Sequence, residues 1–312
     1  MNLKQEQAGR LRTSLVLQHC IFALALVLLA GGVPRAAQAA GIDFPAIGTP
    51  GQSYPGKFVW FDLATDDLPS EREFYGAVFG WQFQPVNNAP ASYTLAENAG
   101  LNIAGMFAYP RPAGAAAGAR WVVLISVADA DRAADYVKQH GGTVISPPAS
   151  LPGRGTHALF RDPQGAVFGV LQSATGDPPD SEVDDGDFFW VDLLTTEPGK
   201  AADFYQGLAG YELSEEPTDT GGTRIVLAAG GYARAGVAPL PPGVKQPGWL
   251  PYILVDDVAA TLQAVRKAGG KVLVNPRQQL LGGNLAVIAD PSRGVLGIVN
   301  WVGPAPVAEA AQ

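Results

Sequence analysis

Hydrophobic and polar residues alternate from Phe58 to Thr65, the period of a strand with one face against a core. The alternation places Phe58, Trp60 and Asp62 on one face and Phe61, Leu63 and Thr65 on the other. The period then changes to that of a helix. Asp66 or Asp67 is its N-cap and Pro69 lies in its first turn. Glu71 and Glu73 complement the helix dipole, and Phe74 with Val78 forms the apolar stripe. Residues 81–83, 93–96 and 101–108 read as short strands. A second module follows the same plan. Its strand spans 121–127, and Asp129 caps a helix whose inner face is Ala133, Tyr136 and Val137. Gly141 and Gly142 stop that helix. Strands near 143–146, 157–160 and 167–171 complete the module, with a turn at Asp162-Pro163-Gln164-Gly165.

The whole arrangement then repeats. Phe58, Trp60, Asp62, Leu63, Thr65, Phe74, Tyr75 and Gly80 return 130 residues later as Phe188, Trp190, Asp192, Leu193, Thr195, Phe204, Tyr205 and Gly210. At a spacing of 128, Trp121, Asp129, Val137, Asp162, Pro163 and Gly169 return as Trp249, Asp257, Val265, Asp290, Pro291 and Gly297. A period this long is a tandem domain duplication, here of two modules each, so the unit of strand, helix and three strands occurs four times. Phe74-Tyr75 and Phe204-Tyr205 read as helix core.

The N-terminus stands outside this pattern. Lys4, Arg10 and Arg12 precede an apolar run from Ile21 to Ala30, and Ala37-Gln38-Ala39 offers the small residues of a signal-peptidase site. Cleavage after Ala39 would leave 273 of the 312 residues. An uncleaved anchor over residues 15–33 is the alternative, although Gln18 and His19 interrupt it and it is short for a span. The expected boundaries are a signal peptide at 1–39, a tether at 40–57, domains at 58–172 and 188–301, a Pro- and acid-rich linker at 173–187, and a tail at 302–312. The protein is therefore expected to be periplasmic or secreted.

Composition narrows the function. The single cysteine, Cys20, would leave with the signal peptide, which removes disulfides, thiolate ligands and a cysteine nucleophile. The net charge is −8, and the first 39 residues carry a net three positive charges, so the mature chain is near −11. Nucleic acid would be repelled, and nucleic-acid binding is not expected. Residues 114–118 are no phosphate loop, because no Gly-Lys-Ser/Thr ending follows, and neither Gly-x-Ser-x-Gly nor His-Glu-x-x-His occurs.

The phrase Trp60-Phe61-Asp62-Leu63-Ala64-Thr65, leading to Phe74-Tyr75 and Phe79-Gly80-Trp81, resembles the vicinal oxygen chelate superfamily of glyoxalases, bleomycin-resistance proteins and extradiol dioxygenases. The stretch from Asp162 to Phe168 is similar to its tandem, lactoylglutathione-lyase-related branch. The resemblance implies an α+β fold of two tandem domains, whose four βαβββ modules curl into cupped mixed sheets holding a small molecule. It further implies a divalent cation held by His or Gln on a module's first strand and Glu on its last, acting as a Lewis acid. Carried over, those places fall on Trp60 and Trp190, on Val122 and Leu250, and on Gly169 and Gly297. None offers a metal donor. No cofactor is therefore expected, and a divalent metal only through an unconventional site.

What remains for the cups is Trp60 with Asp62 and Trp190 with Asp192, each pair on one strand face. Each carboxylate could bind a polar ligand group or act as a base with a raised pKa; equally, it could brace the sheet. His157 is matched by Leu285 in the second copy, so it is either a feature of one cup only or packing. Tyr252 and Leu254 should face the second cup and suit an aromatic or aliphatic ligand. Arg154, Arg161 and Arg224 could be anion contacts, although exposed arginine is the ordinary case. His140 ends a helix and reads as a surface residue. Two functions follow. One is an exported lyase- or dioxygenase-like enzyme lacking the usual ligands, and the other is a metal-free protein that binds or sequesters a small molecule. The expected partner in both is a small molecule, with no membrane association after cleavage; oligomeric state stays open.

Overall fold

A computed structural model describes residues 44–87, 89, 92–109, 118–218, 222–301 and 303. The segment expected to be a signal peptide, with His19 and Cys20, most of the 114–118 loop and most of the tail lie outside these residues. The first domain runs β1 (Phe58–Thr65), α1 (Leu68–Phe79), β2 (Gln82–Pro85), β3 (Thr94–Asn98), β4 (Leu101–Ala108), then β5 (Ala119–Ser126), α2 (Ala130–Gln139), β6 (Thr143–Leu151), β7 (Gly155–Arg161) and β8 (Val167–Ser173). The second repeats it as β9 (Phe188–Thr195), α3 (Pro198–Ala209), β10 (Glu212–Pro217), β11 (Thr223–Ala229), β12 (Tyr232–Pro239), β13 (Gly248–Leu254), α4 (Val258–Lys267), β14 (Lys271–Val274), β15 (Leu285–Ala289) and β16 (Val295–Val299).

Each pair of modules forms one eight-stranded mixed sheet, ordered β2-β3-β4-β1-β5-β8-β7-β6 and β10-β11-β12-β9-β13-β16-β15-β14. The first strands of the two modules, β1 and β5, lie antiparallel at the centre, and each pairs in parallel with the last strand of its own module. The expected helices form as read: Asp67, Asp129 and Asp257 each accept a backbone N–H in the first turn.

One expectation needs correction. Phe58 does not share a face with Trp60 and Asp62. Its partner is Ile125 while Trp60 pairs with Leu124, so a β-bulge sits at Val59. The extra residue resets the alternation: Phe58 turns to the helix side, and Val59 and Trp60 both turn into the cup. The same shift between Phe188 and Trp190 puts Phe189 and Trp190 on the second cup's side. β6 also extends further than read, through Pro147 and Pro148. It is an edge strand with irregular register there, which spares prolines from donating to a ladder.

The helix sides of both sheets merge into one core, with Phe61 stacked on Phe188 at 3.8 Å between centroids. Helix α1 of the first domain packs on α4 of the second, and α2 on α3. Polar groups pin this seam. The hydroxyl of Tyr205 donates to Asp162 in the Asp-Pro turn of the first domain (3.1 Å), and Tyr75 donates to Asp290 in the matching turn of the second (3.0 Å). Gln164, within the first turn, accepts the N–H of Glu197, the residue that opens α3 and makes no side-chain cap of its own. Residues 44–57 run against the linker: Asp177, 1% exposed, accepts from the Tyr54 N–H and the Ser126 hydroxyl, and Lys57 pairs with Asp180 at 2.8 Å.

Candidate functional site: the two cups

The faces of the two sheets turned away from the common core carry the candidate residues. In the first cup the Trp60 indole N–H is shared between the Asp62 carboxylate and the Tyr93 hydroxyl, each 3.0 Å away. Tyr93 in turn donates to Asp62 at 2.6 Å. Gly105 on β4 stands opposite Asp62, and a Cβ there would overlap both the Tyr93 hydroxyl and the carboxylate. Burial pushes the Asp62 carboxyl above its usual range, against the opposing pull of Arg154 and of the bonds from Tyr93 and Trp60.

His157 on β7 joins this group. Its Nδ1 lies 3.1 Å from the Ala149 carbonyl, which makes Nδ1–H the donor and assigns the neutral tautomer. Burial lowers its pKa, so the neutral form holds at physiological pH. Arg154, from the β6–β7 hairpin, is only 2% exposed, which reverses the ordinary expectation for arginine. Its guanidinium carbon sits 4.1 Å from the Trp60 ring and 4.9 Å from the Phe44 ring, and Nη1 donates to Tyr93 at 3.1 Å.

The second cup has the same centre built from other parts. Trp190 donates to Asp192 at 2.9 Å, Tyr252 is the further hydrogen-bond partner, and Gly236 leaves the room that Gly105 leaves in the first cup. Burial again raises the carboxyl. The Tyr252 ring lies over Gly297, where a Cβ would overlap it. A guanidinium also returns, but from β11: Arg224 lies 5.5 Å from the Trp190 ring and bonds Glu216 through Nε (3.2 Å) and Nη2 (2.8 Å). By strand register Arg224 occupies the place of Tyr93, and Tyr252 that of Leu124. Among the described residues, ten buried apolar side chains line the first cup and three the second. Trp60 is 1% exposed, whereas Trp190 is half-buried. The first cup is thus covered more deeply than the second.

Trp60, Asp62, His157, Trp190, Asp192 and Tyr252 therefore all reach a cup, divided three and three. Leu285, opposite number of His157, is an apolar wall of the second cup. Arg161 instead bonds Gly165 in its own turn, and His140 caps α2 from the surface, stacked on Tyr136 at 3.8 Å. Tyr93 escaped the sequence reading, although its replacement by Arg224 across the repeat marks it as a place where the copies diverge. The places at which the resemblance implies metal ligands hold indole, aliphatic or no side chain: Trp60, Val122 and Gly169 in the first cup, Trp190, Leu250 and Gly297 in the second. Among the described residues no three His, Cys, Asp or Glu side chains converge as a metal site. This donor set does not fit a divalent cation.

Known proteins share this organisation. The chain is 32% identical over 252 residues to a putative glyoxylase, CFP32, of Mycobacterium tuberculosis (strain CDC 1551 / Oshkosh), covering 79% of the chain and 94% of the relative. It is 31% identical over 262 residues to the anthracycline biosynthesis protein DnrV of Streptomyces peucetius, with the same coverages. Among solved structures, a Mn(II)-bound glyoxalase from Novosphingobium aromaticivorans superposes with a TM-score of 0.58 at 15% identity, over 82% of this chain and 86% of that one. At that identity the likeness speaks for the fold. Residues 57–170 and 188–296 each match the glyoxalase/bleomycin resistance protein/dioxygenase superfamily, and with both domains matched the chain belongs to that family.

Proposed function

We propose that this is an exported protein that binds a small organic molecule in its cups without a divalent cation. The observation that carries the reading is the occupancy of the implied ligand places, where Trp60, Val122, Gly169, Trp190, Leu250 and Gly297 supply shape and apolar surface but no donor. In the second cup, Phe189, Trp190, Leu194, Leu254 and Leu285 offer half-buried apolar walls around the Asp192 carboxylate. Apolar walls around a carboxylate suit a ligand that is largely aromatic and carries a hydrogen-bond donor. Such a ligand would lie against the Trp190 indole and donate to Asp192.

A second reading, catalysis by acid–base chemistry alone, draws on the first cup. There burial raises the Asp62 carboxyl and keeps His157 neutral, which brings a proton donor and an acceptor into one apolar site. Binding is the reading we adopt, because Asp62 is already engaged by Trp60 and Tyr93.

A panel of aromatic phenols and amines tested by thermal shift on chelator-treated protein separates the possibilities. The expected result is stabilisation that survives chelator and is lost in Trp190→Leu. Stabilisation that appears only after manganese, iron or zinc is restored would overturn the proposal.

A further inference from the structure

Arg154 poses a problem that the rest of the first cup does not solve. Its side chain is among the largest fully buried ones in the protein, and its Nε and Nη2 have no hydrogen-bond partner among the described residues. A buried guanidinium with two unmet donors is costly unless something supplies the acceptors. The two unmet nitrogens are adjacent: they form the side-on edge of the planar group, while Nη1 is taken up by Tyr93. That same edge, in this same protein, is the one through which Arg224 holds the Glu216 carboxylate. The unmet edge of Arg154 thus has the shape of a carboxylate fork.

Against this guanidinium lies Phe44, from the segment that precedes β1. Phe44 is 5% exposed, with its ring 4.9 Å from the Arg154 guanidinium carbon and 5.3 Å, edge-on, from the Tyr93 ring. Residues 44–47 form no helix or strand. Nearby, Ile47 N–H donates to Thr175 at 3.3 Å and Thr49 N–H to Asp177 at 3.2 Å. The Phe44 ring therefore rests where a ligand's ring would contact both Arg154 and Tyr93. The second cup has no counterpart of this arginine in the repeat: the residue matching Arg154 is Gly282.

We propose that the first cup is a site for an aromatic carboxylate, with the carboxylate on Nε and Nη2 of Arg154 and the ring in the place of Phe44. The inference rests on the small-molecule reading above and gives the first cup its own ligand class. Phe44 acts as a built-in competitor, so the site's apparent affinity is reduced by the fraction of molecules in which the segment is seated. His157 and Asp62 both interact electrostatically with this guanidinium.

The probes are benzoate and its neutral counterpart benzamide, titrated calorimetrically into the whole mature protein. Benzoate should bind at least about tenfold more tightly than benzamide, since only it satisfies the fork. Phe44→Ala should tighten benzoate binding by about tenfold or more by removing the competitor. Arg154→Lys keeps the charge but loses the fork and should weaken benzoate by about tenfold or more, with benzamide unchanged. Equal binding of the two probes, or no benzoate binding by either the unaltered protein or the Phe44→Ala variant, overturns the inference; these two proteins decide it even if the Arg154 variant fails to fold. If neutral aromatics still bind in a Trp190-dependent manner while benzoate does not, only the carboxylate site falls. If no aromatic compound binds anywhere, the small-molecule reading falls with it.

Discussion

The hydroxyl of Tyr75 in the first domain donates to Asp290 of the second at 3.0 Å, and the same oxygen accepts the indole N–H of Trp121 at 2.9 Å. Tyr205, Asp162 and Trp249 repeat the arrangement in the opposite sense, with both distances at 3.1 Å. Each helix tyrosine thus joins its own domain's central strand to the other domain's Asp-Pro turn. Tyr75→Phe leaves a buried carboxylate and a buried indole short of a partner, and should cost about 1–3 kcal/mol. Tyr205→Phe should cost the same. Denaturant unfolding checks both; midpoints unchanged from the parent would show that the seam does not depend on these bonds.

The first clasp has an acid that the second lacks. Glu71 is fully buried, accepts the Ser292 N–H at 3.0 Å, and lies beside Asp290; its counterpart in the repeat is Ala201. Burial, then the Asp290 charge, pushes Glu71 up to about 8, and burial pushes Asp290 up to about 6. Both carboxyls hold protons more tightly folded than unfolded. Their contribution is therefore complete below the ordinary carboxyl range and is lost as pH rises through about 6 and then about 8. Melting temperature should fall over that window, and Glu71→Gln should flatten the fall. A parent protein whose melting temperature stays level to beyond about pH 8 would contradict it.

In the cups, Asp62→Ala deprives Tyr93 of its acceptor and Trp60 of one of two, at a cost of about 1–3 kcal/mol. Asp62→Asn keeps an acceptor oxygen and should cost less. The pair, measured by unfolding and by ligand affinity, separates a brace from a ligand contact: a brace alters stability and leaves affinity unchanged.

Two glycines offer a contrast. Gly236→Ala puts a methyl into the Asp192 carboxylate and should destabilise the second domain and abolish ligand binding there. Gly199→Ala, in α3 with nothing within 4 Å of the new methyl, should stabilise by about 0.5–1 kcal/mol. Thermal melts of the two variants moving in the same direction would refute the packing argument.

Much of this was legible in the chain. Strand and helix periods and three of the four helix caps follow from local pattern, because backbone geometry and capping chemistry act within a few residues, and the duplication follows from residues that recur 128 and 130 positions apart. Phe58 was misplaced because a bulge changes the parity of a strand and leaves no mark on the alternation itself. Tyr75 and Tyr205 read only as core because their acceptors lie in the other domain, 215 and 43 residues away. Arg154 read as either an anion contact or an ordinary exposed arginine, because burial of a charge depends on what folds over it, here Phe44 from 110 residues upstream. In the sequence, His157 against Leu285 pointed to a difference between the cups; the structure adds Tyr93 against Arg224 and Arg154 against Gly282.

The central claim, that the cups work without a divalent cation, is tested most directly by elemental analysis of the purified mature protein together with its ligand affinity before and after chelation. The account predicts far less than one equivalent of manganese, iron, nickel or zinc per chain and an affinity unchanged by chelator. About one ion per cup, with binding lost on its removal and restored on its return, would contradict it.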